Sequence, residues 1–279
     1  MIVVIGASGQ LGTALQARLG PDALMLSEAD LDLSDLSSIA QVVAAADPSI
    51  LINAAAYTNV DKAEEEPDVA MRVNGEAVGV LAAAARTAGA QFVTVSTDYV
   101  FDGTADRPYV ESDPTNPVNA YGTSKLAGER AALDANPETL VVRTSWLMSG
   151  THRNFADTIL RLTKERELTV VDDQFGHPTL ASDLAGGILD AASKGVTGVL
   201  HLTNQGVTTW FDLARELVTI AGGDVSRVQP CATSSYPTAA KRPANSVLDS
   251  VRTGPIGLAQ LPDYHEGLAD LVAELKRAD

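Results

Sequence analysis

The sequence predicts an α/β fold, a doubly wound parallel sheet with a smaller, discontinuous carboxy-terminal lobe. Three observations predict it. Short apolar runs alternate with helix-like stretches from the second residue onward, the βαβ pattern of a parallel sheet covered on both faces. A glycine-rich turn, "GASGQLG", follows the first run directly. Beyond about residue 146 the runs grow sparser and Pro, Thr and Asn fill the loops.

Taken in order, "IVVIG" (2–6), "ALML" (23–26), "ILINAAA" (50–56), "FVTVST" (92–97), "LVVRTS" (140–145), "LTVVDD" (168–173) and "VLHLTN" (199–204) are the expected strands. Helical spacing over 35–46, 68–88 and 119–135 fills the gaps between them, and a last helix spans roughly 264–277. The domain division that follows is a dinucleotide-binding unit over 1–146, with 183–222 returning to it. Segments 147–182 and 223–279 form the substrate lobe.

Composition excludes several classes. A formal charge of -16 and a pI near 4.5 oppose a nucleic-acid partner or an anionic membrane surface, since phosphate surfaces demand positive faces. The single cysteine, Cys231, has no partner for an internal disulfide or a structural zinc site, which fits a reducing cytoplasm. The chain enters a strand at once with no basic stretch ahead of it, and no apolar run approaches membrane-spanning length. The expectation is a cytoplasmic protein without metal, nucleic acid or membrane.

The glycine turn carries the first chemistry. Gly6 permits the tight turn, Gly9 lets the backbone approach a pyrophosphate, and Gly12 lets helix and strand pack closely, so the helix amides face the phosphates. Strand before and helix after make this a Rossmann-type dinucleotide site. Cofactor choice falls at the end of the second strand, where "LMLSEADLDLSD" offers Glu28 and no Arg or Lys. An acid there binds a ribose 2′-hydroxyl and favours NADH over NADPH. Asp32 and Leu33 follow, beside the adenine edge. Ala54, Ala55 and Ala56 are small enough for a flat cofactor to lie close.

The second chemistry lies at "VSTDYVFDG" and "NAYGTSK". Thr97, Asp98 and Tyr99 end a buried strand at its carboxyl end, where open α/β sheets bind ligands. Tyr121 precedes Lys125 by four residues, which puts both on one helix face about a turn apart. A phenol there can protonate an alkoxide formed by hydride delivery. A nearby ammonium is expected to hold the cofactor ribose and lower the phenol's pKa, while Thr97 polarises the carbonyl. Trp146, just past another strand end, is placed to pack on a sugar ring or base. Lys241 and Arg242 are a rare basic pair suited to a diphosphate. His177 reads as a loop residue. The run "EEEP" (64–67) reads as acids placed ahead of a helix start.

Together "GASGQLG", "NAAAYTNVDKAEEEP", "VSTDYVFDG", "NPVNAYGTSKLAGE", "RTSWLMSG", "DDQFGHPT" and "RPANSVL" resemble the dTDP-4-dehydrorhamnose reductase family of extended short-chain dehydrogenase/reductases, in order and along nearly the whole chain. The resemblance implies reduction of the 4-keto group of dTDP-4-dehydro-L-rhamnose by NADPH or NADH. Its catalytic residues fall on Thr97, Tyr121 and Lys125, and its substrate-facing ones on Asp98, Tyr99, Trp146, Lys241 and Arg242. The implied cofactor contacts are Gly6, Gly9, Gln10, Leu11, Gly12, Glu28, Asp32, Leu33, Ala54, Ala55, Ala56 and Thr58, with Tyr121 and Lys125. A 4,6-dehydratase of this superfamily would carry Glu after the aspartate, and Tyr99 stands there. A reductase of another nucleotide-linked keto sugar or cyclitol precursor, and a non-catalytic regulatory homologue, remain the alternatives. Some family members dimerise through magnesium held by surface glutamates, one of them on the helix after the glycine loop. This chain reads Thr13, Ala14, Leu15 and Gln16 there, so monomer and homodimer both stay open.

Overall fold

The computed structural model describes residues 1–278. Strand β1 (Ile2–Ile5) leads into α1 (Gln10–Leu19), β2 (Ala23–Leu26), α2 (Leu36–Ala46) and β3 (Ile50–Asn53). Two short helices, α3 (Lys62–Glu65) and α4 (Pro67–Met71), pass through a π turn at Arg72–Glu76 into α5 (Ala77–Thr87). Next come β4 (Gln91–Thr97), α6 (Ala120–Ala135), β5 (Leu140–Thr144), β6 (Leu147–Met148), α7 (Phe155–Glu165), β7 (Leu168–Val171), β8 (Phe175–Gly176) and β9 (Thr179–Leu180). Helix α8 (Ala181–Ser193), β10 (Gly198–His201), β11 (Thr208–Thr209), α9 (Trp210–Ile220), β12 (Val228–Cys231) and α10 (Tyr264–Ala278) complete the chain. Among the described residues no helix is long and apolar enough to cross a membrane.

Six strands form one sheet in the order β2, β1, β3, β4, β5, β10, and every pairing is parallel. Neighbouring residues of each strand feed opposite cores, as the period of two requires. Val3, Leu51 and Phe92 pack with α2 and α5 through Ile39, Val43 and Leu81. Val4, Ile52 and Val93 pack on the other face with Leu11 and Leu15 of α1 and Leu184 and Ile188 of α8. The strand order reverses between β1 and β3. A doubly wound sheet opens a crevice at that switch, above the carboxyl ends of the strands.

A further cluster joins α7, α9 and α10 through Leu160, Leu213, Leu217, Leu268 and Leu271. Within 183–222, helix α8 packs on α1 and β10 joins the sheet, whereas α9 packs in this other cluster. Residues 168–171 pair in parallel with β12 and not with the large sheet, because the sheet's edge beside β5 is filled by β10.

The helix expected over 68–88 is interrupted. At the π turn the Asn74 side chain leaves its helix: Tyr57 N donates to Oδ1 at 2.8 Å, and Nδ2 donates to Tyr57 O and to Ser124 Oγ, each at 3.0 Å. The extra residue of such a turn frees a side chain for this bridge. Asn74 thereby ties the loop after β3 to α6. Close approach completes the seam, since a Cβ on Gly128 would collide with the Asn74 carbonyl.

Candidate active site

A cleft of about 1020 Å³ opens at the switch point and runs from the glycine loop to the face of α6. At the loop end, Gly6 has φ +86°, a conformation that favours glycine. A Cβ on it would lie 2.6 Å from Ala55 N, so the ends of β1 and β3 are pinched together there. A Cβ on Gly12 would collide with the Gly6 carbonyl. Gly9 is the N-cap of α1, with no side-chain cap and no acid in the first turn. The first amides of α1 therefore face the cleft without a protein acceptor from the cap, which is what a pyrophosphate needs. Ala54, Ala55 and Ala56 line the floor, and Glu28, Asp32 and Leu33 line the far end. These residues fit a dinucleotide.

The other end is built on β4 and α6. Asn119 caps α6, accepting from Gly122 N at 2.7 Å, and Ala120 N donates to Glu64 Oε1, also at 2.7 Å. Glu64 thus serves the amino end of α6, not the start of the helix after it in sequence. The cap aims Tyr121, Lys125 and Glu129 along one face. Lys125 is 5% exposed and its Nζ donates to Val95 O at 2.7 Å. Burial drives its pKa down to about 8 despite the Glu129 carboxylate, whose charge is already engaged by Arg143 through two hydrogen bonds at 2.9 and 2.7 Å.

Tyr121 does not have the lowered pKa expected of it. Burial pushes the phenol up to about 12, the Asp98 carboxylate adds to the rise, and the Thr97 hydroxyl offsets part of it. The ammonium of Lys125 is committed to the Val95 carbonyl, so it is burial that decides. Thr97 Oγ1 donates to Asp98 Oδ1 at 2.8 Å and accepts from Tyr99 N at 3.2 Å. Asp98 is 3% exposed, its Oδ2 makes no hydrogen bond among the described residues, and burial raises its pKa to about 6. An acid held neutral at physiological pH, a hydroxyl and a buried carboxylate thus share the inner end of the cleft.

Of the residues the sequence singles out, Gly6, Gly9, Gln10, Leu11, Glu28, Asp32, Leu33, Ala54, Ala55, Ala56, Thr58, Thr97, Asp98, Tyr121, Lys125 and Trp146 line this one cleft. Gly12 stands behind the loop. Tyr99 sits beside the cleft, edge-on to Tyr121 with ring centroids 5.8 Å apart. Trp146 adopts φ +44°, rare for a bulky residue, and stacks on Trp210 at 3.6 Å. Lys241 and Arg242 are outside the lining. The side chain of Lys241 is exposed, while Arg242 grips Asp61 with NH1 to Oδ1 at 2.6 Å and NH2 to Oδ2 at 2.7 Å. That fork holds the Asp61 carboxyl down to about 2. Sequence reasoning missed Tyr57, Lys62, Glu66, His152 and Arg153, which also line the cleft. Lys62 and Glu66 carried a signal, the helical i,i+4 spacing that pairs them at 3.1 Å. His177, read as a loop residue, is buried with its Nδ1 2.7 Å from the Gly206 carbonyl.

Known proteins carry the same arrangement of sequence. The RmlD substrate binding domain matches residues 1–277. The chain is similar to dTDP-4-dehydrorhamnose reductase of Burkholderia thailandensis, at 43% identity over 98% of each chain. It is similar to that of Escherichia coli at 40%, over 98% of this chain and 97% of the other. Among solved structures it superposes on dTDP-4-dehydrorhamnose reductase from Bacillus anthracis in complex with NADP, with a TM-score of 0.94 and 38% identity over 98% of each chain. By sequence and by fold, the chain belongs to the RmlD substrate binding domain family, that of the dTDP-4-dehydrorhamnose reductases.

Proposed function

We propose that the protein is an NAD(P)H-dependent reductase that converts dTDP-4-dehydro-L-rhamnose to dTDP-L-rhamnose by reducing the keto group at C4. The observation that carries this reading is the single cleft, which joins a phosphate-binding glycine loop at one end to Thr97, Tyr121 and Lys125 at the other. A reduced nicotinamide held in this cleft would supply the hydride. Gly6, Gly9 and the first turn of α1 would hold its pyrophosphate, Ala54 to Ala56 its flat parts, and Lys125 its ribose.

The chain's own groups govern the proton. Tyr121, with a pKa of about 12, is protonated at neutral pH and gives its proton to the oxygen on C4 as negative charge develops there. Thr97 turns its hydroxyl from Asp98 to the same oxygen, adding a donor where charge appears. Lys125 would stabilise the phenolate left behind by turning its ammonium from the Val95 carbonyl, and burial makes that charge count for more than it would in water. Trp146 offers a flat apolar wall to the sugar. Asp98 and Tyr99 flank the keto end.

The test is the loss of reduced-nicotinamide absorbance when purified protein meets dTDP-4-dehydro-L-rhamnose with NADH or NADPH in parallel. Rapid oxidation is the expected outcome. Binding of either cofactor by titration with no oxidation would overturn the substrate and shift the reading to another nucleotide-linked keto sugar or to a non-catalytic nucleotide binder.

A further inference from the structure

Residues 149–154, "SGTHRN", lie across the glycine loop, and of them only Ser149 and Gly150 fall inside a motif, "RTSWLMSG". The strap is fixed to the loop by side chains. Ser149 Oγ donates to Gln10 Oε1 at 3.1 Å and Asn154 Nδ2 donates to the same oxygen at 3.0 Å. Gln10 Nε2 in turn donates to Leu147 O at 3.4 Å. The His152 ring spans the rest of the gap, its Nε2–H donating to Ser8 O at 2.8 Å while the Thr151 hydroxyl donates to Nδ1 at 2.9 Å. Gly150 seats the strap against α10, for a Cβ there would collide with Glu274.

Two consequences follow for charge. Asn154 is also the N-cap of α7, so the Gln10–Asn154 bridge brings the amino ends of α1 and α7 together at the glycine loop. Both are helix ends with partial positive charge. Beside them stands Arg153, exposed and lining the cleft. The cleft's other basic groups are committed: Lys62 to Glu66, Lys125 to the Val95 carbonyl, His152 to Ser8. Among the described residues Arg153 makes no hydrogen bond and no ion pair. In a chain of net charge -16, with Glu28, Asp32, Glu66 and Asp98 lining the same cleft, a free guanidinium over a glycine loop is the group that can answer an anion.

We propose that the strap 149–154 is the second jaw of the pyrophosphate site, and that Arg153 supplies the counter-charge to the dinucleotide's diphosphate bridge. The glycine loop contributes uncharged amides from one side, and Arg153 contributes a planar, permanently charged fork from the other. The inference rests on the dinucleotide reading given above. It commits Arg153 to the diphosphate and not to the 2′-phosphate, because the strap is bonded to Ser8 and Gln10 at the loop and, among the described residues, makes no hydrogen bond at the Glu28 end.

The experiment is a fluorescence titration of NADH and of NADPH into wild type, R153Q and R153K, at low and high salt. R153Q is expected to weaken both cofactors by a similar factor, about tenfold, with R153K recovering part of it and R153Q losing most of the salt dependence seen in wild type. A loss confined to NADPH would assign Arg153 to the 2′-phosphate and overturn the proposal. Unchanged affinity for both would overturn it as well, leaving the cofactor reading intact. Wild type that binds neither cofactor would overturn the dinucleotide reading and Arg153's role together. Because Arg153 is exposed and makes no hydrogen bond or ion pair among the described residues, the melting temperature of the variants without cofactor is expected to match wild type.

Discussion

The two ends of the cleft are built on opposite principles. At the glycine loop the protein presents backbone amides, small side chains and close approaches; Gly6 to Leu11 themselves carry no ionisable side chain, and the strap across them adds His152 and the exposed Arg153. At the α6 end three ionisable side chains of the lining, Asp98, Tyr121 and Lys125, are each displaced from their ordinary pKa by burial first. The binding end is shaped by what is left out, and the reacting end by charge held where water would otherwise be. The first leaves no room for a Cβ at Gly6 or Gly12, and the second depends on which groups carry a proton.

The largest effect expected from breaking this contrast is at the reacting end. Tyr121→Phe keeps the ring and its edge-on contact with Tyr99 but removes the proton, so kcat is expected to fall roughly a thousandfold, about 4 kcal/mol of barrier, with cofactor affinity nearly unchanged. Stopped-flow turnover together with cofactor titration checks it, and near-normal turnover would remove Tyr121 from the chemistry.

At the binding end the matched experiment is Gly12→Ala. One methyl group has to overlap the Gly6 carbonyl, and backbone must move to admit it. A loss of about 3 kcal/mol in unfolding free energy is expected, with cofactor affinity falling alongside. A variant of wild-type stability in urea would show that the loop yields where the structure has it rigid.

The smallest effect sharpens the comparison by running against intuition. Asp98 has a folded pKa near 6 against 3.8 in a free chain, so the folded state holds more protons between those values. Its contribution to stability therefore falls as pH rises from about 4 to 6, and the full cost is present above 6. Asp98→Asn removes an ionised, half-satisfied carboxylate, and is expected to stabilise the fold at pH 7 by roughly 2 kcal/mol while impairing turnover. The gain should vanish near pH 4. Equal melting shifts at both pH values would mean that burial of the charge is not what Asp98 costs.

What the sequence made legible follows the same division. The glycine loop could be read because only glycine tolerates φ +86° and the contacts at Gly12. Tyr121 and Lys125 could be read because their spacing is set by the helix itself. The direction of the Tyr121 shift could not, since it depends on how much water the lobe and sheet exclude, which no local pattern records. Arg242 looked free for a diphosphate because its partner, Asp61, lies 181 residues earlier. The π turn was hidden inside an unbroken helical pattern. Its cause is one side chain, Asn74, bonding across the fold to Tyr57 and Ser124. The strap over the glycine loop consists of ordinary polar residues whose meaning comes from Gln10 and Ser8, some 140 positions away.

The Trp146–Trp210 stack has a use beyond packing. These are the chain's two tryptophans, held face to face at 3.6 Å with an interplanar angle of 11°. Two indoles that close share their electronic excitation, so the pair acts as one chromophore whose near-ultraviolet dichroism depends on its mutual orientation. Because Trp146 lines the cleft and Trp210 opens α9, any ligand that presses on the first or any motion that carries the second rewrites that signal. The protein therefore holds a native optical gauge of how the cleft wall and α9 sit against each other, readable without label or mutation.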